Sequence, residues 1–145
     1  DILTDSELID PSEASAVALD DDKILLNIRN ENPVKRRYLS LFDVESMLFD
    51  NIGFCDTLPD PTCFAGMVSD GKTIFYSGCD STDDRINLKI KISKDEGKTF
   101  SESKFISEFA GYSDIAVSDN GNELYVFYEM CMDDIIELHF QAIKL

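Results

Sequence analysis

Two arginines are the candidate binding groups in a chain that is otherwise strongly acidic. The sequence carries 13 Lys and Arg against 29 Asp and Glu, a formal net charge of −16, and a field of that sign repels nucleic acid and anionic membranes. Arg29 ends an apolar segment, and an arginine that faces inward from such a segment must be paired. Arg85 follows Asp83 and Asp84 and could equally form a weak surface ion pair. Because a guanidinium is planar and permanently charged, two of them brought together would bind a carboxylate through paired hydrogen bonds.

The remaining candidate ligand residues predict no metal site. The four cysteines show no C-x-x-C pair and no zinc-like spacing, so they are expected to be small buried hydrophobic residues, with one disulfide as the open alternative. The single histidine lacks a second ligand and is expected near the surface. A basic run, with no aromatic residue interleaved, is expected to be the solvated start of a strand. These residues are Cys55, Cys63, Cys79 and Cys131; His139; and Lys35, Arg36 and Arg37.

The elements that must position these residues follow a repeat of about 50 residues. Short apolar segments lead into residues 20–22, 70–71 and 119–121, and each is followed by a second apolar strand. Asp21 and Asp70 are 49 residues apart, and Asp70 and Asn120 are 50 apart. Asp-Gly and Asn-Gly between apolar runs favour type I′ hairpin turns. A fixed period of hairpins is typical of propeller blades, so we predict an all-β, partial β-propeller of about three four-stranded antiparallel blades.

The rest of the chain fits the same prediction. Residues 85–92 alternate between apolar and polar side chains, which is typical of a half-exposed strand, and residues 135–143 are expected to form the closing strand. No apolar run approaches the roughly 20 residues of a membrane-spanning helix. With 145 residues, the chain has the length of one domain. It begins at Asp1 without a signal peptide, so we expect a processed or excised piece.

Residues 93–100, which read Ser-Lys-Asp-Glu-Gly-Lys-Thr-Phe, match the Asp-box pattern S-x-D-x-G-x-T-[FW] at every defined position. Asp95 can accept backbone N–H bonds across a turn, Gly97 can adopt a left-handed conformation, and Phe100 can anchor the next strand. The box is therefore predicted to be a folding device, a tight turn on the outer rim and away from any active site. Propellers with and without enzymatic activity carry it.

Five further segments, in this order along the chain, carry a resemblance to the sialidase (neuraminidase) family. They are Pro11-Ser12-Glu13-Ala14-Ser15, Leu26-Asn27-Ile28-Arg29-Asn30, Leu58-Pro59-Asp60-Pro61-Thr62-Cys63, Arg85-Ile86-Asn87-Leu88 and Gly111-Tyr112-Ser113-Asp114. The Asp-box lies between the last two, as in the family. The resemblance implies the C-terminal half of a six-bladed catalytic propeller, with residues 1–145 as a single but incomplete domain. It also implies an exo-α-sialidase, which releases terminal sialic acid from glycoconjugates without a cofactor.

The resemblance assigns a role to four residues. Arg29 and Arg85 would bind the carboxylate that a sialic acid carries on its anomeric carbon. Tyr112 would be the nucleophile of a retaining mechanism, because a carboxylate nucleophile would be repelled by the substrate carboxylate. A phenol with a pKa of about 10 needs activation, so Glu13 would accept the phenolic proton and the arginine cluster would favour the phenolate. Taken singly, Glu13 also fits an ordinary loop carboxylate, and Tyr112 an aromatic residue at the end of a strand.

The sequence departs from the family in two ways. Phe64 stands where the family usually has a glutamine, so the pocket for the glycerol or N-acyl group is expected to differ. The family's first arginine, in an R-I-P motif, and its acid/base aspartate have no counterpart here, so the isolated chain is expected to be inactive.

The expected partners follow from the resemblance. They are sialylated glycoconjugates, together with either the N-terminal half of the same propeller or a second copy of the chain. We expect a secreted or lysosomal (vesicular) protein rather than a cytoplasmic one. The alternative function is a non-catalytic propeller module that binds sialylated glycans or a protein partner.

Overall fold

The computed structural model describes residues 3–19, 22–132 and 135–145. Every regular element within these ranges is a β-strand. The strands are β1 (Ala14–Ala18), β2 (Lys23–Ile28), β3 (Arg36–Asp43), β4 (Leu48–Pro59), β5 (Gly66–Ser69), β6 (Ile74–Cys79), β7 (Ile86–Ser93), β8 (Ser101–Phe109), β9 (Ser113–Val117), β10 (Glu123–Met132) and β11 (Ile135–Lys144). The alternating and closing strands predicted from the sequence are β7 and β11, and the all-β prediction is confirmed.

The strands form three antiparallel sheets that follow chain order. Strands β1 to β4 and β5 to β8 make two four-stranded sheets, and β9, β10 and β11 make a sheet of three strands. The first strands of the sheets, β1, β5 and β9, lie side by side, and Ala65 and Ser113 form a parallel bridge between the second and third sheets. Propeller blades meet at their axis in this way. The structure is therefore a partial propeller, whose third blade has three described strands instead of the predicted four.

Two apolar layers join the three sheets. The layer between the first and second sheets includes Leu25, Leu39, Ile74, Tyr76 and Phe100. The layer between the second and third includes Phe75, Leu88, Ile90, Leu124 and Val126. Strand β6 is buried along its whole length, because successive side chains point alternately into one layer and the other. Each large side chain that is fully buried contributes about 1.5–3 kcal/mol, so these two layers hold the sheets together.

The hairpin turns at residues 70–73 and 118–121 are not of the predicted type I′. Gly71 and Gly121 have positive φ values of 88° and 70°, whereas Asp70 and Asn120 do not, and type I′ needs two positive values. The Asp70 carboxylate instead accepts the backbone N–H groups of Lys72 and Thr73 at 2.9 and 2.7 Å. The side chain therefore closes the turn. In the first repeat, Asp20 and Asp21 lie outside the described residues.

Residues 93–100 form a tight turn after β7, as predicted. The Asp95 carboxylate accepts the backbone N–H and the hydroxyl of Thr99 at 2.9 and 2.6 Å. Gly97 has a φ of 86°, and a Cβ there would overlap with a core leucine side chain. Arg85 immediately precedes β7 and the turn follows it, so the eight-residue strand separates them by about 26 Å.

The basic run at residues 35–37 is not the solvated start of a strand. Arg37 is fully buried, with 0% of its side chain exposed. Its Nη1 lies 3.0 Å from Asp60 Oδ2 and donates to the Cys63 carbonyl at 2.9 Å, and its Nε donates to Asn27 Oδ1 at 2.6 Å. The pairing of β3 with β4 shifts register between Arg36 and Tyr38, and such a bulge re-aims the side chain it contains.

The remaining predictions concern cysteine, histidine and membrane spans. All four cysteines are free thiols, so the alternative of one disulfide is not observed; Cys55, Cys63 and Cys79 are buried as predicted, and Cys131 is half-buried. His139 is partly exposed, and its Nε2 lies 2.8 Å from Glu137 Oε2. Among the described residues, no helix is long and apolar enough to cross a membrane.

Candidate functional site

The four candidate residues lie at one edge of the sheets. Glu13 and Tyr112 immediately precede β1 and β9, Arg85 immediately precedes β7, and Arg29 immediately follows β2. Since neighbouring strands are antiparallel, the starts of β1, β7 and β9 and the end of β2 fall on the same side. We call this side the site edge. The hairpin turns and residues 93–100 lie at the opposite edge.

Arg29 joins the first and third sheets at the site edge. Its Nη1 donates to Glu13 Oε2 at 2.6 Å and to the Tyr112 hydroxyl oxygen at 2.9 Å, and its Nη2 lies 3.5 Å from Glu31 Oε1. The Arg29 backbone N–H donates to the Glu13 carbonyl at 3.0 Å, which extends the β1–β2 ladder by one pair. The side chains of Arg29 and Glu13 are 17% and 36% exposed, so both can be reached by a ligand.

The charges of this cluster set its resting protonation state. A hydrogen bond to Glu13 and partial burial raise the pKa of Tyr112 above its usual 10.0, against the opposing effect of Arg29. Partial burial alone would raise the pKa of Glu13, but hydrogen bonds with Tyr112 and Arg29 bring it below the usual 4.5. At neutral pH the cluster therefore holds a carboxylate, a neutral phenol and a guanidinium. Arg29 favours the phenolate, in the direction expected, but Glu13 outweighs it, so Tyr112 is a neutral phenol at rest.

Arg85 lies over the ring of Tyr112. Its guanidinium carbon is 5.3 Å from the ring centroid, and a cation in this place is attracted to the aromatic face. Its Nη2 donates to the Thr62 carbonyl oxygen at 3.3 Å. The surface ion pair with Asp83 or Asp84, which the sequence also allowed, is not formed among the described residues. Three of the four candidate residues are thus in direct contact, and the fourth lies above them.

Phe64 packs against Tyr112 beside an open cavity. The two ring centroids are 6.0 Å apart, and the cavity has a volume of about 210 Å³ with Phe127, Glu129 and Leu138 among its other lining residues. Where the resembled family has a glutamine, this chain therefore places an aromatic wall next to the candidate nucleophile. A larger cavity of about 460 Å³ lies at the opposite edge, away from the four candidate residues.

Two residues of the site edge, Glu129 and Thr62, were not among the residues predicted from the sequence. Glu129 Oε2 accepts the Tyr112 backbone N–H at 3.0 Å, and the Glu129 N–H donates to the Tyr112 carbonyl at 2.9 Å. The repeat does carry a signal for Glu129, because Glu129 in β10 pairs with Tyr112 just before β9, at the register position where Arg29 pairs with Glu13 just before β1. No signal marks Thr62, since its contribution is a backbone carbonyl.

The chemistry of the site edge rests on organic side chains. Within the described ranges, no group of three or more His, Cys, Asp or Glu is placed to hold a metal ion. Two guanidinium groups, one phenol and the Glu13 carboxylate lie together instead, with the Glu31 carboxylate beside Arg29. This arrangement can bind an anion and can pass a proton between Tyr112 and Glu13.

Comparison with known proteins identifies the fold. No family model and no curated protein matches the sequence. A solved Hadza microbial sialidase superposes with a TM-score of 0.78 and 24% identity, covering 93% of this chain and 28% of that one. The Trypanosoma rangeli sialidase in complex with the inhibitor DANA superposes with a TM-score of 0.68 and 18% identity, covering 90% and 23%.

These structural neighbours are sialidases, and at such identities the likeness is one of fold. The three sheets have the architecture of part of the propeller found in those structures, so the predicted fold is confirmed. The chain spans about a quarter of the length of the solved structures it matches. The roles of Glu13, Arg29, Arg85 and Tyr112 stay predictions.

Proposed function

We propose that this chain supplies part of the active site of an exo-α-sialidase, a retaining glycoside hydrolase that releases terminal sialic acid from glycoconjugates. The observation that carries the proposal is the bridge made by Arg29, whose Nη1 reaches both Glu13 and the Tyr112 hydroxyl. It brings the base, the nucleophile and a carboxylate-binding cation of such a site into contact. The fold shared with solved sialidases supports the same proposal.

Arg29 and Arg85 bind the carboxylate of the substrate. Arg29 donates to the Tyr112 hydroxyl, and Arg85 lies over the ring of the same tyrosine. A carboxylate shared by the two guanidinium groups would place the attached anomeric carbon beside the phenolic oxygen. Holding the reacting atoms in this way removes much of the entropic cost of their encounter.

Tyr112 attacks the anomeric carbon while Glu13 takes its proton. The phenolic oxygen forms a bond to that carbon as the bond to the aglycone oxygen breaks, and the aglycone leaves with a proton from a general acid outside the matched residues. Water then bonds to the anomeric carbon and gives its proton to that outside group, while the bond to Tyr112 breaks and the phenolic oxygen takes back the proton held by Glu13, so the configuration is retained. The resting protonation state suits this step, because Glu13 is ionised and Tyr112 carries the proton it must give up. The neutral phenol also avoids repulsion by the substrate carboxylate.

We infer that residues 1–145 are the C-terminal half of the catalytic propeller, a single but incomplete domain. The outward face of the third sheet is apolar and uncovered: Phe127, Leu138 and Phe140 are 48%, 66% and 65% exposed. Large apolar patches drive association, so this face packs against the N-terminal half, with a second copy of the chain as the alternative. A secreted or lysosomal (vesicular) location goes with glycoconjugate substrates, and cell fractionation tests it.

The test of the function is turnover of a fluorogenic sialoside. The chain alone should release no sialic acid, because the missing general acid–base catalysis is worth about 10²–10⁴-fold. Mixing it with the N-terminal half of its parent should restore turnover. In that mixture, Tyr112→Phe should lower turnover by about 10³-fold or more while binding persists. The control is Tyr125→Phe, which removes a hydroxyl that pairs with Glu123 on the same sheet, away from the site.

The raised pKa of Tyr112 also suits a site that only binds, since a neutral phenol is a good hydrogen-bond donor. A non-catalytic module for sialylated glycans or a protein partner is therefore the second candidate. Binding of a sialylated glycan by the mixture without any turnover would favour it. Turnover by the isolated chain would contradict the incomplete site. A stable dimer of the chain alone, detected by light scattering, would assign the apolar face to a second copy.

A further inference from the structure

We propose that residues 60–63 form a strained turn that positions Arg85, with Thr62 as the positioning residue. The inference rests on the proposed function in one respect, namely that Arg85 binds the ligand carboxylate. Thr62 has a φ of 61°, a left-handed conformation that is rare for a β-branched side chain and costs free energy. Such a residue persists only where its surroundings hold it.

The surroundings hold Thr62 from both sides. Asp60 Oδ1 accepts the Cys63 N–H at 2.9 Å, and Asp60 Oδ2 lies 3.0 Å from Arg37 Nη1. The same Nη1 donates to the Cys63 carbonyl at 2.9 Å. Asp60 and Cys63, which flank Thr62, are therefore both held by the buried Arg37 side chain. Lys35 Nζ donates to Thr62 Oγ1 at 2.9 Å. Because the Arg37 and Asp60 side chains are 0% and 3% exposed, water cannot compete with this clamp.

The clamp directs the Thr62 carbonyl at Arg85, whose Nη2 donates to it at 3.3 Å. The Arg85 side chain is exposed and without this bond would sample many rotamers. A neutral acceptor orients the guanidinium without offsetting its charge, which a carboxylate in the same place would do. Arg29 shows the contrast, since it is paired with Glu13 and Glu31. Arg85 is therefore held over Tyr112 with its charge available to an incoming carboxylate.

Thr62→Gly and Thr62→Pro form a matched pair of variants that isolates the backbone conformation. Both lose the hydroxyl and the β-branch. Glycine adopts a positive φ without strain, so its carbonyl should stay on Arg85, whereas proline is locked at a φ of about −65° and must turn the carbonyl away. The N–H of Thr62 makes no hydrogen bond among the described residues, so its loss in the proline variant does not disturb the comparison.

The readout is the NMR ring-current shift of the Arg85 side-chain protons above the Tyr112 ring, recognised by its disappearance in Tyr112→Leu. We expect Thr62→Gly to keep this upfield shift and Thr62→Pro to lose more than half of it. Binding of N-acetylneuraminic acid should weaken by about tenfold in the proline variant only. A full shift in Thr62→Pro, or a lost shift in Thr62→Gly, would overturn the proposal.

Two further comparisons keep the test decisive. If Thr62→Pro does not fold, Thr62→Gly should still have an unfolding constant at least about threefold smaller than Thr62→Ala, because the two differ only by a Cβ at positive φ. Equal constants would show that Thr62 is unstrained and would overturn the proposal. The ring-current test needs no ligand. Expected shifts without any binding of N-acetylneuraminic acid, by the wild-type chain or by its mixture with the N-terminal half, would support the positioning role and count against the sialidase proposal alone.

Discussion

The pairs Arg37–Asp60 and Arg29–Glu13 have the same chemistry at two depths. Arg37 Nη1 lies 3.0 Å from Asp60 Oδ2, and the two side chains are 0% and 3% exposed. Arg29 Nη1 lies 2.6 Å from Glu13 Oε2, and these side chains are 17% and 36% exposed. Arg37 also donates through its Nε and Nη2, whereas Arg29 Nε is buried without a partner among the described residues. The inner arginine is fully engaged, and the outer one is partly open to solvent.

Depth explains the different roles of the two pairs. A charge without solvent must have all its partners inside the protein, because an uncompensated buried charge is strongly destabilising. The Arg37–Asp60 pair therefore has a structural role, and its hydrogen bonds hold the turn at residues 60–63. A half-exposed pair can exchange a partner for a ligand or for water at little cost. The partly exposed pair at the site edge thus lies above a similar pair that is closed to solvent.

The largest effect is expected where the buried pair is broken. Arg37→Met should lower the free energy of unfolding by about 3–5 kcal/mol, because it leaves Asp60 as an unpaired buried charge. Urea denaturation measures the change as a shift in midpoint with an unaltered slope.

The neighbouring arginine provides the control for this substitution. Arg36 is half-buried, and among the described residues its Nη1 donates only to the Lys35 carbonyl, at 3.0 Å. Arg36→Met should therefore change the free energy of unfolding by less than about 1 kcal/mol. Similar losses in the two variants would show that burial does not separate them.

The sequence misplaced the inner arginine. Arg29 follows an apolar run, was expected to be paired and is paired with Glu13, whereas Arg37 sits in a basic run and was expected in solvent. The burial of Arg37 depends on the register shift between Arg36 and Tyr38, which involves the partner strand and has no local signature. By contrast, the repeat, the turn residues and the residues 93–100 are local patterns, and they predicted the sheets well.

The same division applies to the candidate site. Glu13, Arg29, Arg85 and Tyr112 could be named from motif order, since each lies next to the end of a strand that the repeat locates. The protonation state of Tyr112 and Glu13 could not be predicted, because it depends on the hydrogen bonds that join these two residues and Arg29 in the folded chain. Thr62 was beyond prediction, as its φ is imposed by contacts of Asp60 and Cys63 with a distant strand.

A smaller effect is expected at the half-exposed pair, and it concerns protonation. Glu13→Gln should lower the pKa of Tyr112 toward 10.0, because the carboxylate that disfavours the phenolate is removed. Arg29→Met should raise the pKa further, because Arg29 favours the phenolate. A pH titration followed by phenolate absorbance, with Tyr112→Phe as the blank, measures both. Shifts in the same direction for the two variants would contradict this account of the cluster.

The sign of the pH dependence follows from the raised pKa of Tyr112. The folded chain holds the phenolic proton more tightly than the unfolded chain does, so this contribution to stability is present below pH 10.0 and is lost as the pH rises through the folded value. Glu13→Gln should reduce that loss. In the unfolding experiment at neutral pH, Arg29→Met should lower the free energy of unfolding by less than about 1 kcal/mol, since solvent reaches and screens this partly exposed pair.

The smallest effect is expected at a third depth, in the pair Lys98–Glu96. Lys98 Nζ lies 3.9 Å from Glu96 Oε2, and the two side chains are 70% and 68% exposed. At that distance in water the attraction is weak, and ordering two long side chains offsets it. Lys98→Met should therefore change the free energy of unfolding by less than about 0.5 kcal/mol. This change should be the same in low and in high salt. A loss as large as that of Arg37→Met would mean that the turn at residues 93–100, and not burial, determines what an ion pair contributes in this fold.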